Sequence, residues 1–347
     1  METKQWYVDN DVYNVEKYPQ IQEAAQLLQQ GEVIGFPTET VYGLGADATN
    51  TEAVEKIFIA KGRPSDNPLI VHIASTEQLT HITKNVPSVA KELMEAFWPG
   101  PLTLVLEKKG GVSEKVTAGL STVAVRMPDH PIALALIKEA NLPIAAPSAN
   151  RSGKPSPTLA KHVHDDLKGR IAGLVDGGAT GVGVESTVVD CTVEPIVILR
   201  PGGVTKEQLE EVAGEVEVDP ALLNEVEAPR SPGMKYTHYA PDAPLTIVQG
   251  SESFMQQLVD RAKREGKKVG VLTTEEKCAS YNADVVLSCG KRDDLSTVAA
   301  HLYDALRTFD ERNVDVIYSE EFPTEGIGSA VMNRLLKASG HRFISEN

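Results

Sequence analysis

Short apolar runs alternate with stretches of helical period along nearly the whole chain, and this alternation restricts it to an α/β architecture. Residues 20–30 put Ile21, Ala24, Ala25 and Leu28 on one face and end at Gly31, a helix stop. An apolar run at 33–36 follows, broken by Pro37. The spacing predicts a helix over 51–60, with Thr49 and Glu52 at capping-box distance ahead of it. Apolar strands are predicted at 69–73, 102–106, 123–125 and 143–146, with a helix at 132–140 between the last two. Further strands at 171–175, 187–191 and 196–199 precede a short helix at 205–212 with an acidic face. Beyond residue 245, strands at 245–248, 268–272, 283–287 and 314–318 alternate with helices at 254–264, 295–312 and 329–338. That is the pattern of βαβ units in a small, mainly parallel sheet.

Between these halves the pattern dissolves. Residues 214–244 hold Pro220, Pro229, Pro232 and Pro241, end at Pro244, and keep no helical period. Within them, 231–241 concentrates Lys, His and Tyr side chains, unlike the Gly/Ser-rich or Pro-rich sequence of a simple spacer. A long irregular segment of this kind reads as a linker that doubles as a lid. The organisation expected is therefore a first domain over 1–213, a linker over 214–244 and a second α/β domain over 245–347. A chain of 347 residues has room for two domains.

Composition narrows the class of function. Apolar residues make up 41% and charged residues 24%, which supports a sizeable core. No stretch approaches the roughly 18 apolar residues of a membrane helix. The first eleven residues are polar and acidic and lack the regions of a signal peptide. Three cysteines, Cys191, Cys278 and Cys289, lie far apart and form neither a disulfide framework nor a metal pair. A cytoplasmic location is expected. The formal net charge of −15 is the opposite of a nucleic-acid footprint. Direct RNA binding is not expected, although a double-stranded RNA or tRNA binding module is the alternative of a different class. In so acidic a chain, local basic residues stand out as candidates for an anionic ligand.

There is no P-loop and no HExxH, and Gly181-Val-Gly183 meets Ser186 where a dinucleotide fingerprint needs a third glycine. His162 and His164, two apart in a polar context, read as solvated surface. What stands out is a series of polar residues at the ends of apolar strands, where open α/β sheets bind ligands. Pro37-Thr-Glu-Thr-Val-Tyr-Gly-Leu-Gly45 has the small residues of a backbone that approaches a ligand closely. Lys61-Gly-Arg63 flanks a glycine with two cations suited to a polyphosphate, one a point charge and one a planar fork; contact with the helix C-terminus is the plainer reading. His72 sits inside an apolar strand. In Thr122-Val-Ala-Val-Arg126, alternation puts Thr122, Ala124 and Arg126 on one face. An arginine beside such small residues calls for an anionic partner, such as a carboxylate. Ala146-Pro-Ser-Ala-Asn150, Ser156, Glu185-Ser-Thr187 and Arg200 complete the set.

Taken together, these motifs, in this order over residues 18–210, resemble the YrdC family of threonylcarbamoyl-AMP synthases. The linker and second domain are similar to the longer branch of that family. The resemblance implies a twisted open-sheet YrdC-like catalytic domain followed by a smaller Rossmann-like α/β domain. It also implies a nucleotidyltransferase reaction, in which threonine, bicarbonate and ATP give threonylcarbamoyl-AMP and pyrophosphate. The product would pass to partner proteins that modify tRNA. By resemblance, Lys61 and Arg63 hold the ATP phosphates and the bicarbonate-derived group. Asn67, Thr122, Ser148, Ser156 and Arg200 complete the nucleotide site, and Tyr236 closes over it. Thr40, His72, Arg126, Ala146 and Ser186 hold threonine, with Arg126 on its carboxylate. Mg²⁺ is expected on the phosphates, without a dedicated protein site.

Overall fold

A computed structural model describes residues 2–9, 15–222 and 238–346. Its contacts divide into two compact units. One comprises Met1–Ser152, Pro157–Gly181 and Glu185–Lys235; the other comprises Gly153–Ser156, Val182–Val184 and Tyr236–Asn347.

The first unit is built on an eleven-stranded mixed sheet. Its strands are Lys4–Tyr7 (β1), Ile34–Phe36 (β2), Gly43–Asp47 (β3), Ile70–His72 (β4), Leu102–Glu107 (β5), Thr122–Arg126 (β6), Ile144–Ala145 (β7), Gly173–Asp176 (β8), Thr187–Asp190 (β9), Ile196–Arg200 (β10) and Val216–Val218 (β11). They lie in the order β1-β8-β2-β3-β7-β4-β6-β5-β9-β10-β11.

Apolar residues sort onto both faces by the two-residue period of the strands. On one face, Val71, Leu104, Leu106, Val123 and Val125 pack with Ile57, Leu93 and Leu209 from the helices Thr51–Lys61, Ser88–Phe97 and Lys206–Ala213. A second cluster joins Ile34, Phe36, Ile144 and Val175 to Ile21 and Leu28 of the helix Pro19–Gln29 and to Ile132 and Leu136 of Pro131–Ala140. Each such side chain, fully buried, stabilises the fold by about 1.5–3 kcal/mol relative to exposure. A third, smaller layer contains only strand residues: Ile70, Val105, Ala124, Val188 and Leu199. It is the apolar floor at the centre of the sheet.

The structure refines one expectation and corrects two. The last three residues of the Pro37–Gly45 stretch, read as backbone close to a ligand, belong to strand β3. Gly45 is needed there for packing, because a Cβ on it would stand 2.7 Å from the Phe36 ring and 2.8 Å from an Ile144 methyl. The helix Thr51–Lys61 is capped by Asn50, whose side chain accepts from the N–H groups of Glu52 at 3.0 Å and Ala53 at 3.2 Å. Thr49 is instead held by Asp47 through its N–H at 2.8 Å and its hydroxyl at 2.7 Å, so the expected capping box does not form. His162 is buried, not solvated. It lies on the short helix Ala160–Leu167 and its Nδ1 accepts from the Thr158 N–H at 3.2 Å.

The second unit carries a wholly parallel five-stranded sheet: Leu245–Gln249 (β12), Val269–Thr273 (β13), Val285–Ser288 (β14), Val316–Glu320 (β15) and Phe343–Ser345 (β16), ordered β14-β13-β15-β12-β16. The helices Glu252–Arg264, Leu295–Arg312 and Gly328–Ser339 connect them. Most of the aromatic loop predicted as a lid, Tyr236 included, lies outside the described residues. Its end is described: Tyr239 is buried in this unit, stacked on Tyr303 at 5.3 Å between ring centres, with the Arg334 guanidinium 5.6 Å from its ring.

Candidate active site

Strand direction decides which predicted residues meet. β4 and β6 run parallel, β5 runs antiparallel to β6, β9 parallel to β5, and β10 antiparallel to β9. The ends of β4, β6 and β10 and the starts of β5 and β9 therefore share one edge of the sheet. His72, Arg126, Ser186 and Arg200 line that edge.

Arg126 stands at its centre and is 2% exposed, so its charge must be met by specific partners. One terminal nitrogen, Nη1, donates to the Thr40 hydroxyl at 3.1 Å. The other, Nη2, donates to a Glu39 carboxylate oxygen at 2.9 Å. Its Nε, although buried, has no partner. Burial lowers the Arg126 pKa from its ordinary value, and the Glu39 charge and hydrogen bond oppose that shift. The Thr40 hydroxyl also shares a hydrogen bond with Thr38 at 2.8 Å, which fixes its position. His72 sits opposite Arg126 in the parallel register, with Nδ1 3.2 Å from the Ile70 carbonyl and the ring edge-on to Phe36. Burial holds its imidazole well below the usual histidine range, and the Arg126 charge adds to the effect.

Ser186, buried ahead of β9, bonds the Thr103 hydroxyl at 2.7 Å. The Arg200 guanidinium grips the Ser186 carbonyl through Nε at 3.1 Å and Nη2 at 2.9 Å, and reaches the Ser186 hydroxyl at 3.1 Å. Arg200 is thereby brought to the Ser186 edge. Ala146 follows β7, which runs antiparallel to β4, and its N–H bonds the Ile70 carbonyl at 2.9 Å. It lies two residues along β4 from His72, a separation of roughly 7 Å.

A second group forms where the helix Thr51–Lys61 ends. Gly62 takes the left-handed conformation, φ +62°, which turns the chain sharply between the two cations. Lys61 stands in the last turn of its helix and also reaches beyond it. Its buried ammonium donates to the carbonyl of Ser148 and to the Asn150 carbonyl at 2.7 Å, and its own carbonyl accepts from the Ser152 N–H at 3.0 Å. Lys61 thus pins the 148–152 turn, in which the Ser148 hydroxyl bonds Asn150 Oδ1 at 2.5 Å. Arg63 begins the loop that leads to Asn67. Asn67 is 1% exposed, and neither its amide oxygen nor its amide nitrogen has a hydrogen-bond partner. Two orphaned polar atoms on one fully buried side chain are rare and point to a polar ligand.

Thr122 opens β6 at the far end from Arg126 and is half-buried. Ser156 is fully buried and groups with the second compact unit. Sequence reading does not single out Glu39, although it is the only charged residue in Pro37–Gly45. Its partner is 87 residues away in the chain, and only the fold shows the pair.

Comparison with known proteins decides the family. A family model described as telomere recombination, Sua5/YciO/YrdC, matches residues 26–202, and a second, the threonylcarbamoyl-AMP synthase C-terminal domain, matches 204–340. The chain belongs to the Sua5/YciO/YrdC family. Among its Sua5/YciO/YrdC relatives is a Bacillus subtilis protein named threonylcarbamoyl-AMP synthase, 61% identical over 345 residues, covering 99% of this chain and 100% of that one. A protein of the same name from Schizosaccharomyces pombe is 44% identical, covering 93% of this chain and 89% of its own length. The crystal structure of Pyrococcus abyssi Sua5 complexed with L-threonine superposes with a TM-score of 0.94 at 49% identity, over 99% of this chain and all of that one.

Proposed function

We propose that this chain is a nucleotidyltransferase that converts L-threonine, bicarbonate and ATP into L-threonylcarbamoyl-AMP, pyrophosphate and water. The observation that carries the reading is the placing of Arg126, Thr40, His72 and Ser186 on one sheet edge, in a chain whose near full-length relatives bear the name of that synthase. A buried arginine beside small residues and hydroxyls suits the carboxylate and side-chain hydroxyl of threonine.

The chemistry makes modest demands on the protein. The threonine amine takes up bicarbonate as a carbamate, with loss of water. A carbamate oxygen then attacks the α-phosphorus of ATP, and the bond to the β-phosphate oxygen breaks to release pyrophosphate. The attacking group is already an oxyanion, so no side-chain nucleophile is required. Positioning and charge neutralisation are what the protein must supply. Lys61 and Arg63 are proposed to meet the phosphates and the carbamate, a reading supported by their positions on either side of Gly62, and Asn67 offers its two orphaned amide atoms. Mg²⁺ would arrive with ATP and add neutralising charge on the phosphate oxygens. Lys61, Arg63 and Asn67 are proposed as the groups that would face the metal-bearing phosphates. Thr122, Ser148, Ser156, Arg200 and Tyr236 are proposed for the rest of the nucleotide site, and Ala146 for the threonine side.

The product would be handed to protein partners that place the threonylcarbamoyl group on a tRNA adenosine. A net charge of −15 favours an indirect RNA role, and the cytoplasm is the location this implies. No helix among the described residues is long and apolar enough to cross a membrane. Mass spectrometry of a reaction run with ¹³C-bicarbonate tests the proposal. The expected product is an adenylate carrying threonine and one labelled carbon; an unlabelled threonyl adenylate would refute it.

A further inference from the structure

The mechanism above leaves Glu39 without a task, yet its placement is specific. Its Oε2 accepts from Arg126 Nη2 at 2.9 Å, and the two side chains are 11% and 3% exposed. Its Oε1 is buried and accepts from no donor. The backbone that carries it is held in place, since the Glu39 carbonyl accepts from the Gly181 N–H at 3.1 Å and the adjacent Thr40 is tied to Thr38. Arg126 has an unused donor of its own, Nε, on the same buried pair.

A buried ion pair with one unused acceptor on the acid and one unused donor on the base is complementary to a zwitterion. A carboxylate fits the arginine and an ammonium fits the glutamate. If Glu39 served only to neutralise Arg126, a bidentate pairing would satisfy all these atoms and would be the stronger arrangement. Leaving two charged-group atoms unsatisfied in the interior is costly. We propose that Glu39 is the residue that recognises the α-ammonium group of the amino-acid substrate, while also competing with the substrate carboxylate for Arg126. The inference rests on the function proposed above, because it names the second half of the same amino-acid site.

The dual role gives opposite signs for two ligands. Replacing Glu39 with glutamine removes the negative charge but keeps the shape. Threonine, which has both charges, loses its ammonium partner and should bind about 10- to 100-fold more weakly, the loss expected for a charge-assisted hydrogen bond. 3-Hydroxybutanoate has the carboxylate and hydroxyl but no amine. It should bind the variant more tightly than the unaltered protein, because Arg126 no longer has Glu39 as a competitor.

Calorimetric titration of both ligands into the full chain, with and without Glu39→Gln, measures this. Glu39→Asp should recover part of the threonine affinity. On the unaltered protein, threonine should bind at least about tenfold more tightly than 3-hydroxybutanoate, and this comparison needs no variant to fold. If Glu39→Gln weakens both ligands alike, Glu39 merely holds Arg126 in place and the inference fails. Unchanged affinities, or equal binding of the two ligands to the unaltered protein, also overturn it. Absence of threonine binding to the unaltered protein would instead overturn the proposed function, and the inference with it.

Discussion

His72 and Arg126 sit opposite each other in register on the parallel strands β4 and β6, both buried. The arginine keeps its charge through Glu39, and the histidine stays neutral because burial, then Arg126, disfavours its protonated form. His130 is pushed down by burial to about 4. In the unfolded chain both histidines return to an ordinary value of 6.5. The unfolded state then binds more protons than the folded state once the pH drops below that value. The stability these histidines confer is therefore present above about pH 6.5 and is lost progressively as the pH falls, His130's share by about pH 4. Urea unfolding from about pH 7.5 to about pH 4.5 should show this decline, and His130→Phe should flatten it. An unchanged slope in the variant would contradict the assignment to His130.

Asn67 gives a prediction in which stability and activity part company. With both amide atoms orphaned and buried, Asn67→Leu removes a penalty of about 1–3 kcal/mol for each unmet group. The variant should melt at a higher temperature than the parent and show a raised KM for ATP. This is the trade expected where a ligand site is held at the expense of the fold. Thermal unfolding and an ATP titration on the same preparation check both halves.

Arg126→Lys retains the charge but loses the planar fork that reaches Thr40 and Glu39 together. The KM for threonine should rise by at least about tenfold while the KM for ATP stays within about twofold. Equal effects on both substrates would show that Arg126 serves the site as a whole.

Lys61→Met keeps an unbranched chain one atom shorter and removes the donor that holds the Ser148 and Asn150 carbonyls. Hydrogen exchange should quicken across 147–152, and turnover should fall by more than about a hundredfold, since the same ammonium is proposed to face the phosphates. Faster exchange with unchanged turnover would limit Lys61 to a structural part.

The sequence exposed the layer pattern well because buried strands are short apolar runs and because Arg126, His72, Ser186 and Arg200 sit at their ends. It did not show that Gly43–Gly45 open a strand, since glycines suit a close backbone approach until Phe36 and Ile144 are seen to need the space at Gly45. It missed the burial of His162, which depends on a short helix whose charged neighbours mask its apolar side. Strand order was not legible. Nothing local says that β7 intervenes between β3 and β4, or that β9 lies beside β5, and these adjacencies bring Ala146 to Ile70 and Ser186 to Thr103. For the same reason Glu39 read as one acid in a polar loop, and its meaning came only from an arginine far along the chain.

The measurement that tests the central claim most directly is pyrophosphate release from ATP by the purified protein, with threonine and bicarbonate omitted in turn. The account predicts release only when both are present, because the attacking group is a carbamate built from the two. Release with threonine alone in bicarbonate-free buffer would contradict it and make the chain an ordinary amino-acid adenylating enzyme.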